Sequence, residues 1–188
     1  RSAALWERQA LLRARPIAGD ARLSEAVVSR VLDPVARRPM PPDAGAQIAD
    51  MRHRLDARGP GAAIYPKKSP GGLLDVEFLA QFIEIRQGVR IPSTRRALET
   101  ILERKWLPSD TVLELSRHFE FLRRVESRLR FRYWRADVFV PSAGPGLERL
   151  ARRLGDAGAD AGDRLWRDLS RVMARTREIF DVVVRQPD

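Results

Sequence analysis

KKSPGGLLDVEFLAQFIEIRQ, residues 67–87, joins two stretches that ask for opposite surroundings. Lys67, Lys68 and Ser69 are polar, and Pro70-Gly71-Gly72 follows them. Proline fixes its own φ and glycine permits positive φ, so these residues make a tight turn and not a continued helix. A helix-length apolar run comes next. Leu74, Phe78, Phe82 and Ile85 recur at i, i+4, i+8 and i+11, and Leu73, Val76, Leu79 and Ile83 fill the neighbouring face. A surface this wide belongs to a helix covered on most sides, with Phe78 expected at its buried centre. Asp75, Glu77, Gln81 and Glu84 are its polar remainder. Asp75 and Glu77 fit either of two roles. They can complement the free N–H groups and dipole of the first helical turn. Alternatively, with Lys67, Lys68, Gly71 and Gly72, they form a polar junction facing a ligand or another domain.

Working outward, Ser2 to Ala14 reads as a helix with Leu5, Gln9 and Leu12 on one side, closed by Pro16. Its arginines Arg8, Arg13 and Arg15 are expected on the exposed side. Leu23, Val27, Val31 and Val35 at i+4 spacing predict a second helix facing inward. Pro39, Pro41 and Pro42 break it, and Asp43 is a candidate N-cap for a third helix running to about Arg58. In that helix Ile48, Met51 and Leu55 form the apolar stripe, while Arg52, His53 and Arg54 occupy the polar side. Residues 63–65 are briefly extended before the Lys67 turn. Gly88 closes the central helix, and Ser93 caps the next, with Ala97, Leu98, Ile101 and Leu102 inward.

The longest helix runs from Ser109 or Asp110 to about Trp134. Val112, Leu115, Phe119, Leu122, Val125 and Leu129 form its packing stripe. Arg123, Arg124, Arg128, Arg130, Arg132 and Arg135 make its far face basic, either as a solvated, ion-paired surface or as a docking face. Residues 139–146 are a loop, Leu147 to Leu154 a short helix, and residues 155–162 a flexible small-residue segment. The last helix spans about Asp163 to Val184. Its seam of Leu165, Leu169, Val172, Thr176, Ile179 and Val183 suggests an antiparallel pair with the longest helix. No internal repeat appears and strand signals are nearly absent. The fold class is therefore all-α, a helical bundle of about seven or eight helices in one domain over residues 1–188.

Composition narrows the functions available. The chain has 188 residues and is 44% hydrophobic, enough for one packed core. No run approaches the length of a membrane helix. It contains no cysteine, which excludes disulfides and thiolate metal sites and fits a cytoplasmic origin. His53 and His118 are its only histidines, too few for a multi-histidine metal site. A net charge of +10 invites a nucleic-acid reading. The arginines, however, are dispersed among Asp and Glu with no block of five or six like charges, and no nucleic-acid motif accompanies them. No Ser-His-Asp or Cys-His set is available, and the Pro70-Gly71-Gly72 turn is neither a P-loop nor a dinucleotide fingerprint.

The run PKKSPGGLLDVEFLAQF resembles the signature of the helical domain of glutamine synthetase adenylyltransferases, shared with PII uridylyltransferases: D-L-K-x-G-P-G-G-hydrophobic-x-D-I-E-F. Lys67, Pro70, Gly71, Gly72, Asp75, Glu77 and Phe78 match it. Tyr65 and Pro66 replace the usual Asp-Leu, and Ser69 replaces a usual Gly. LWERQALLRARPIAGD is similar to the helix that leaves the catalytic domain of that family, and FLRRVESRLR to its later FLRRLExRLQ helix. The resemblance implies that residues 1–18 are a linker helix from a missing N-terminal nucleotidyltransferase domain, with residues 19–188 as the bundle. It also implies that the metal-binding G-S-x-x-D-x-D carboxylates lie outside this chain, leaving it no catalytic or metal-binding residue of its own. Mg²⁺ and ATP would serve the parent enzyme, with no cofactor in this segment. Glutamine synthetase and PII protein are the implied partners, with no nucleic acid and no membrane. Lys67, Lys68, Gly71, Gly72, Asp75, Glu77, Arg13 and Arg15 are the candidate nucleotide or domain-interface residues. The chain begins within an apparent helix and ends soon after its last one. It therefore reads as a fragment, closer to the AMP-adding half of such an enzyme. Two other readings stand beside this: the helical domain of a PII uridylyltransferase, and a regulatory module that binds protein and never touches nucleotide.

Overall fold

The computed structural model describes residues 4–59, 62–133 and 138–185. Eight helical rods make up the fold among them. The first, α1, is Leu5–Leu12. Ala21–Val27, a π turn over Val28–Leu32 and Asp33–Ala36 run on as one rod, α2. Then come α3 (Ala44–Arg54), α4 (Leu73–Arg86), α5 (Thr94–Glu103) and α6 (Ser109–Tyr133). The last two are α7 (Pro145–Arg153) and α8 (Ala161–Arg185). Strand-like pairing among the described residues is confined to one antiparallel bridge, Ile64 with Val140. The all-α bundle expected from periodicity is the observed fold.

Helix α4 is its axis and packs against α1, α3, α5, α6 and α8. Leu73, Val76, Leu79, Ala80, Phe82, Ile83 and Ile85 are all buried, which is why this segment is apolar on every side. Gly88, at φ +64, ends the helix: the Val89 N–H reaches back to the Glu84 carbonyl at 2.9 Å in a Schellman-type closure. Phe78 is only half-buried, whereas Phe82 is 2% exposed, so the buried aromatic centre lies one turn further on.

The α6 stripe is buried as expected from Val112 to Leu129. Its expected end at Trp134 lies outside the described residues, as do Arg135 and the Arg132 side chain. Helix α8 does meet α6, through Arg175 with Glu114 at 3.2 Å and His118 Nδ1 with Thr176 Oγ1 at 2.9 Å. It also packs on α7, α4 and α3, so its apolar seam is shared among four helices and is not one long pair. The 155–162 segment is tied to α8: Arg164 pairs with Asp156 at 2.7 Å and with Asp160.

Four further expectations are corrected. In α2, Leu23, Val27 and Val31 are exposed, while Leu32, Val35 and Ala36 are buried. Pro34 has no N–H, and its ring would strike the carbonyl four residues earlier in a regular helix. The chain answers with the π turn, in which the Asp33 N–H bonds to the Val28 carbonyl; Ala21–Val27 before it buries no side chain, and the rod meets the core only through Leu32, Val35 and Ala36. In α1, Arg8 is not on the surface: it is 4% exposed and donates to the carbonyls of Pro39 (3.0 Å) and Arg38 (2.5 Å) beyond the end of α2. In α3, Arg52 leaves the polar side altogether and is fully buried, while Leu55 is exposed. Asp43 precedes α3 without a side-chain bond to the helix backbone; its carboxylate accepts from the Gln47 side chain at 2.8 Å.

Candidate functional site

The approach to α4 is built by local hydrogen bonds. The Ile64 N–H donates to the Val140 carbonyl at 3.0 Å and the Val140 N–H to the Ile64 carbonyl at 2.7 Å, which draws residues 63–65 out straight. Tyr65 packs edge-on against Phe139, ring centres 6.0 Å apart. Ser69 then closes the turn. Its N–H donates to the Tyr65 carbonyl at 2.9 Å, and its hydroxyl donates to Ala57 at 2.8 Å while accepting the Tyr65 N–H at 3.0 Å. The first N–H groups of α4 have no helical partners. They are taken by carbonyls of the turn: Leu73 to Pro66 at 2.9 Å and Leu74 to Lys67 at 3.1 Å.

Both glycines of the turn have steric reasons. Gly71 has φ +76, and a side chain there would overlap the Met173 carbonyl oxygen of α8. A Cβ on Gly72 would lie 2.6 Å from the Pro66 carbonyl oxygen. The turn therefore rests backbone to backbone on α8.

Asp75 closes this arrangement from inside. It is fully buried, and its carboxylate accepts the Gly71 N–H and pairs with Arg52 of α3 and Arg177 of α8. Arg177 reaches both its oxygens, at 3.2 and 3.3 Å. Arg52 also pairs with Asp56 at 2.6 Å and donates to the carbonyls of Lys68 and Ser69, each at 3.1 Å. Arg177 reaches Asp56 and Asp181 at 3.5 Å and lies over the Phe180 ring. Burial pushes the Asp75 carboxyl above its ordinary range, and the charges of Arg52 and Arg177 and the Gly71 N–H pull against it. Asp75 thus joins three helices and the turn at one point.

Glu77 faces elsewhere. It is half-buried, and burial raises its carboxyl; Lys67, then Arg13, and Arg123 oppose that rise, while Glu126 adds to it. Lys67 and Lys68 are half-buried, with the Lys67 carbonyl bound by Leu74 and the Lys68 carbonyl by Ala57 and Arg52. Of the eight candidate residues, Gly71, Gly72 and Asp75 sit in the clamp and Lys68 meets it through its carbonyl, whereas Lys67 and Arg13 act together on Glu77 outside it. Arg15 is exposed.

A second polar centre lies near the other end of α4. Glu84 is fully buried, pairs with Arg13 at 3.2 Å and accepts the Ile91 N–H at 2.9 Å. Arg13 also donates to the Ile91 carbonyl at 2.6 Å, while Arg90 pairs with Asp33 and donates to the Ala14 carbonyl, both at 2.8 Å. Between the two centres, Gln81 accepts from Gln9 at 3.3 Å. Burial, opposed chiefly by Arg13, lifts the Glu84 carboxyl from about 4.5 to about 7. A raised folded value means that folding takes up a proton between these limits, so this group favours the fold below about pH 4.5 and withdraws that support as pH rises to about 7. Glu84→Gln is expected to remove this decline, stabilising the protein above neutrality by on the order of 3 kcal/mol relative to acid. Urea midpoints of both proteins across that range check it; parallel pH profiles would show that Glu84 is not the group responsible.

Arg52 and Arg177 were not among the residues singled out from the sequence. Their signal was positional. Arg52 is four residues after buried Ile48, and Arg177 lies between Met173 and Phe180 on the inward face of α8. A charge on an apolar stripe marks a buried partner elsewhere.

Comparison with known proteins agrees with this frame. Residues 46–184 match the family model described as GlnD PII-uridylyltransferase. The chain is 32% identical over 187 residues to a Bradyrhizobium diazoefficiens protein named bifunctional glutamine synthetase adenylyltransferase/adenylyl-removing enzyme, an alignment covering 94% of the chain and 19% of that protein. Proteins of the same name from Streptomyces avermitilis and Mycobacterium tuberculosis are 33% and 29% identical, over 95% and 100% of the chain and 19% and 20% of their own lengths. The chain thus spans about a fifth of the length of the curated relatives it matches.

Proposed function

The chain belongs to the GlnD PII-uridylyltransferase family, and from that premise we propose that it is the helical module of a cytoplasmic nucleotidyltransferase that adds AMP to glutamine synthetase or removes it. The observation that carries this reading is identity of 32–33% along nearly the whole chain to enzymes named for that activity. The catalytic nucleotidyltransferase domain, glutamine synthetase and PII protein are the partners in this reading. No described helix is long and apolar enough to cross a membrane.

The described residues do not fit a Mg²⁺–ATP site of the paired-carboxylate kind. No group of three or more His, Asp or Glu side chains among them could hold a metal ion. The buried acids are already engaged: Asp75 by Arg52 and Arg177, Glu84 by Arg13, and Glu126 by Arg130 at 3.1 Å and Arg123 at 3.6 Å. In this reading the module contributes shape and charge to the reaction. On the same reading, Lys67, Glu77 and Arg15 are the residues of the candidate set that meet nucleotide or the catalytic domain, since their side chains lie outside the clamp.

The test is to purify the gene product that contains this chain and supply it with glutamine synthetase, ATP and Mg²⁺. AMP incorporation is expected, and the 188-residue chain alone should give none. In the same protein, Lys67→Ala should leave the fold intact and lower kcat/KM about tenfold or more. UMP transfer to PII protein without AMP transfer to glutamine synthetase would overturn the assignment in favour of a uridylyltransferase. Unchanged kinetics in the Lys67 variant would leave that lysine a structural residue.

A further inference from the structure

Three helices meet around a concavity of about 450 Å³ far from the clamp in sequence. Its walls carry Arg95 of α5, Arg123, Arg124, Ser127 and Arg128 of α6, and Arg153 of α7. No carboxylate among the described residues lines it. Only two of the five guanidinium groups have acidic partners among the described residues: Arg95 with Glu120 at 2.7 Å and Arg123 with Glu126 at 3.6 Å. Arg124, Arg128 and Arg153 are exposed and have none. The arrangement concentrates like charge, which opposes folding unless an anion occupies it.

We propose that this concavity binds a ligand with two or more linked phosphates. Three observations choose that class. Guanidinium is a planar fork whose paired N–H groups match phosphate oxygens two at a time. The volume exceeds that of a single phosphate, and the arginines approach from three elements, which suits a chain of phosphates. Among the described residues the lining has no aromatic ring and one apolar side chain, Leu154, so recognition rests on charge and not on stacking against a base. Ser127 adds one hydroxyl able to donate to an oxygen.

The probe is inorganic tripolyphosphate titrated calorimetrically into the 188-residue chain, with single phosphate as the comparison. Binding is expected at the micromolar level in about 0.1 M salt, weakening steeply as salt is raised. Single phosphate should bind about tenfold or more weakly. Arg124→Ala/Arg128→Ala should weaken tripolyphosphate binding about tenfold or more. Because both side chains are exposed and unpaired, this variant should keep the helical spectrum and melt no lower than the parent. Undetectable binding, or equal binding by the double variant, overturns the site. Equal binding of single phosphate, or tighter binding of poly-glutamate or an oligonucleotide through the same arginines, overturns the ligand class.

Discussion

Arg52→Ala is expected to cost about 3–5 kcal/mol of folding stability. The argument is electrostatic before it is steric. Arg52 is 0% exposed and faces Asp75, itself 0% exposed. Removing the guanidinium leaves a buried carboxylate short of one of its two cations, and takes one of two donors from each of the Lys68 and Ser69 carbonyls, which keep the Ala57 and Gly72 N–H groups. Arg177 cannot replace it, because it approaches from α8 and is already shared with Asp56 and Asp181. Asp75→Asn should be less damaging alone, since an amide can still accept from Gly71. In the double variant the losses should fall short of additive, because the same contact is removed twice. Urea denaturation of the two single variants and the double variant gives the coupling. A loss below about 1 kcal/mol for Arg52→Ala would show that the clamp does not hold the turn.

Phe82→Ala should be as costly, at about 3–5 kcal/mol, for a different reason. Phe82 is 2% exposed at the centre of α4, and its truncation leaves a void that neighbours on several helices cannot all collapse to fill. Phe78, four residues earlier, belongs to the family signature but is half-buried, so Phe78→Ala should cost roughly half as much. Thermal or denaturant unfolding of both variants orders them. Equal losses would mean that the helix is covered more evenly than its side-chain exposures indicate.

Arg123 takes part both in the field around Glu77 and in the arginine-lined concavity on α5, α6 and α7, but Lys67 does not line the concavity, and Arg124 and Arg128 are not among the charges acting on Glu77. The two can therefore be tested independently. A change at Arg124 and Arg128 leaves the α4 turn untouched, and a change at Lys67 leaves the concavity intact.

Local sequence was enough for the helices. The apolar spacing of 112–129, the all-round apolarity of 73–85, the Pro-Gly-Gly break and the Gly88 stop each act through nearest neighbours along the chain, and each is present in the structure. The sequence by itself also determined the family, through a motif whose glycines have steric reasons that hold wherever this turn rests on a helix. What it could not determine was the pairing of charges. Asp75 reads as an ordinary first-turn acid until Arg52, 23 positions before it, and Arg177, 102 positions after it, are brought to its oxygens. Arg8 reads as solvated until it lies beside the carbonyls of Arg38 and Pro39. Leu23 and Val31 read as core until their rod is seen to meet the bundle only through Leu32, Val35 and Ala36. Periodicity records which way a side chain points from its own helix, whereas the cost of burying a charge depends on which other helix arrives to meet it; only the tertiary structure brings those helices together.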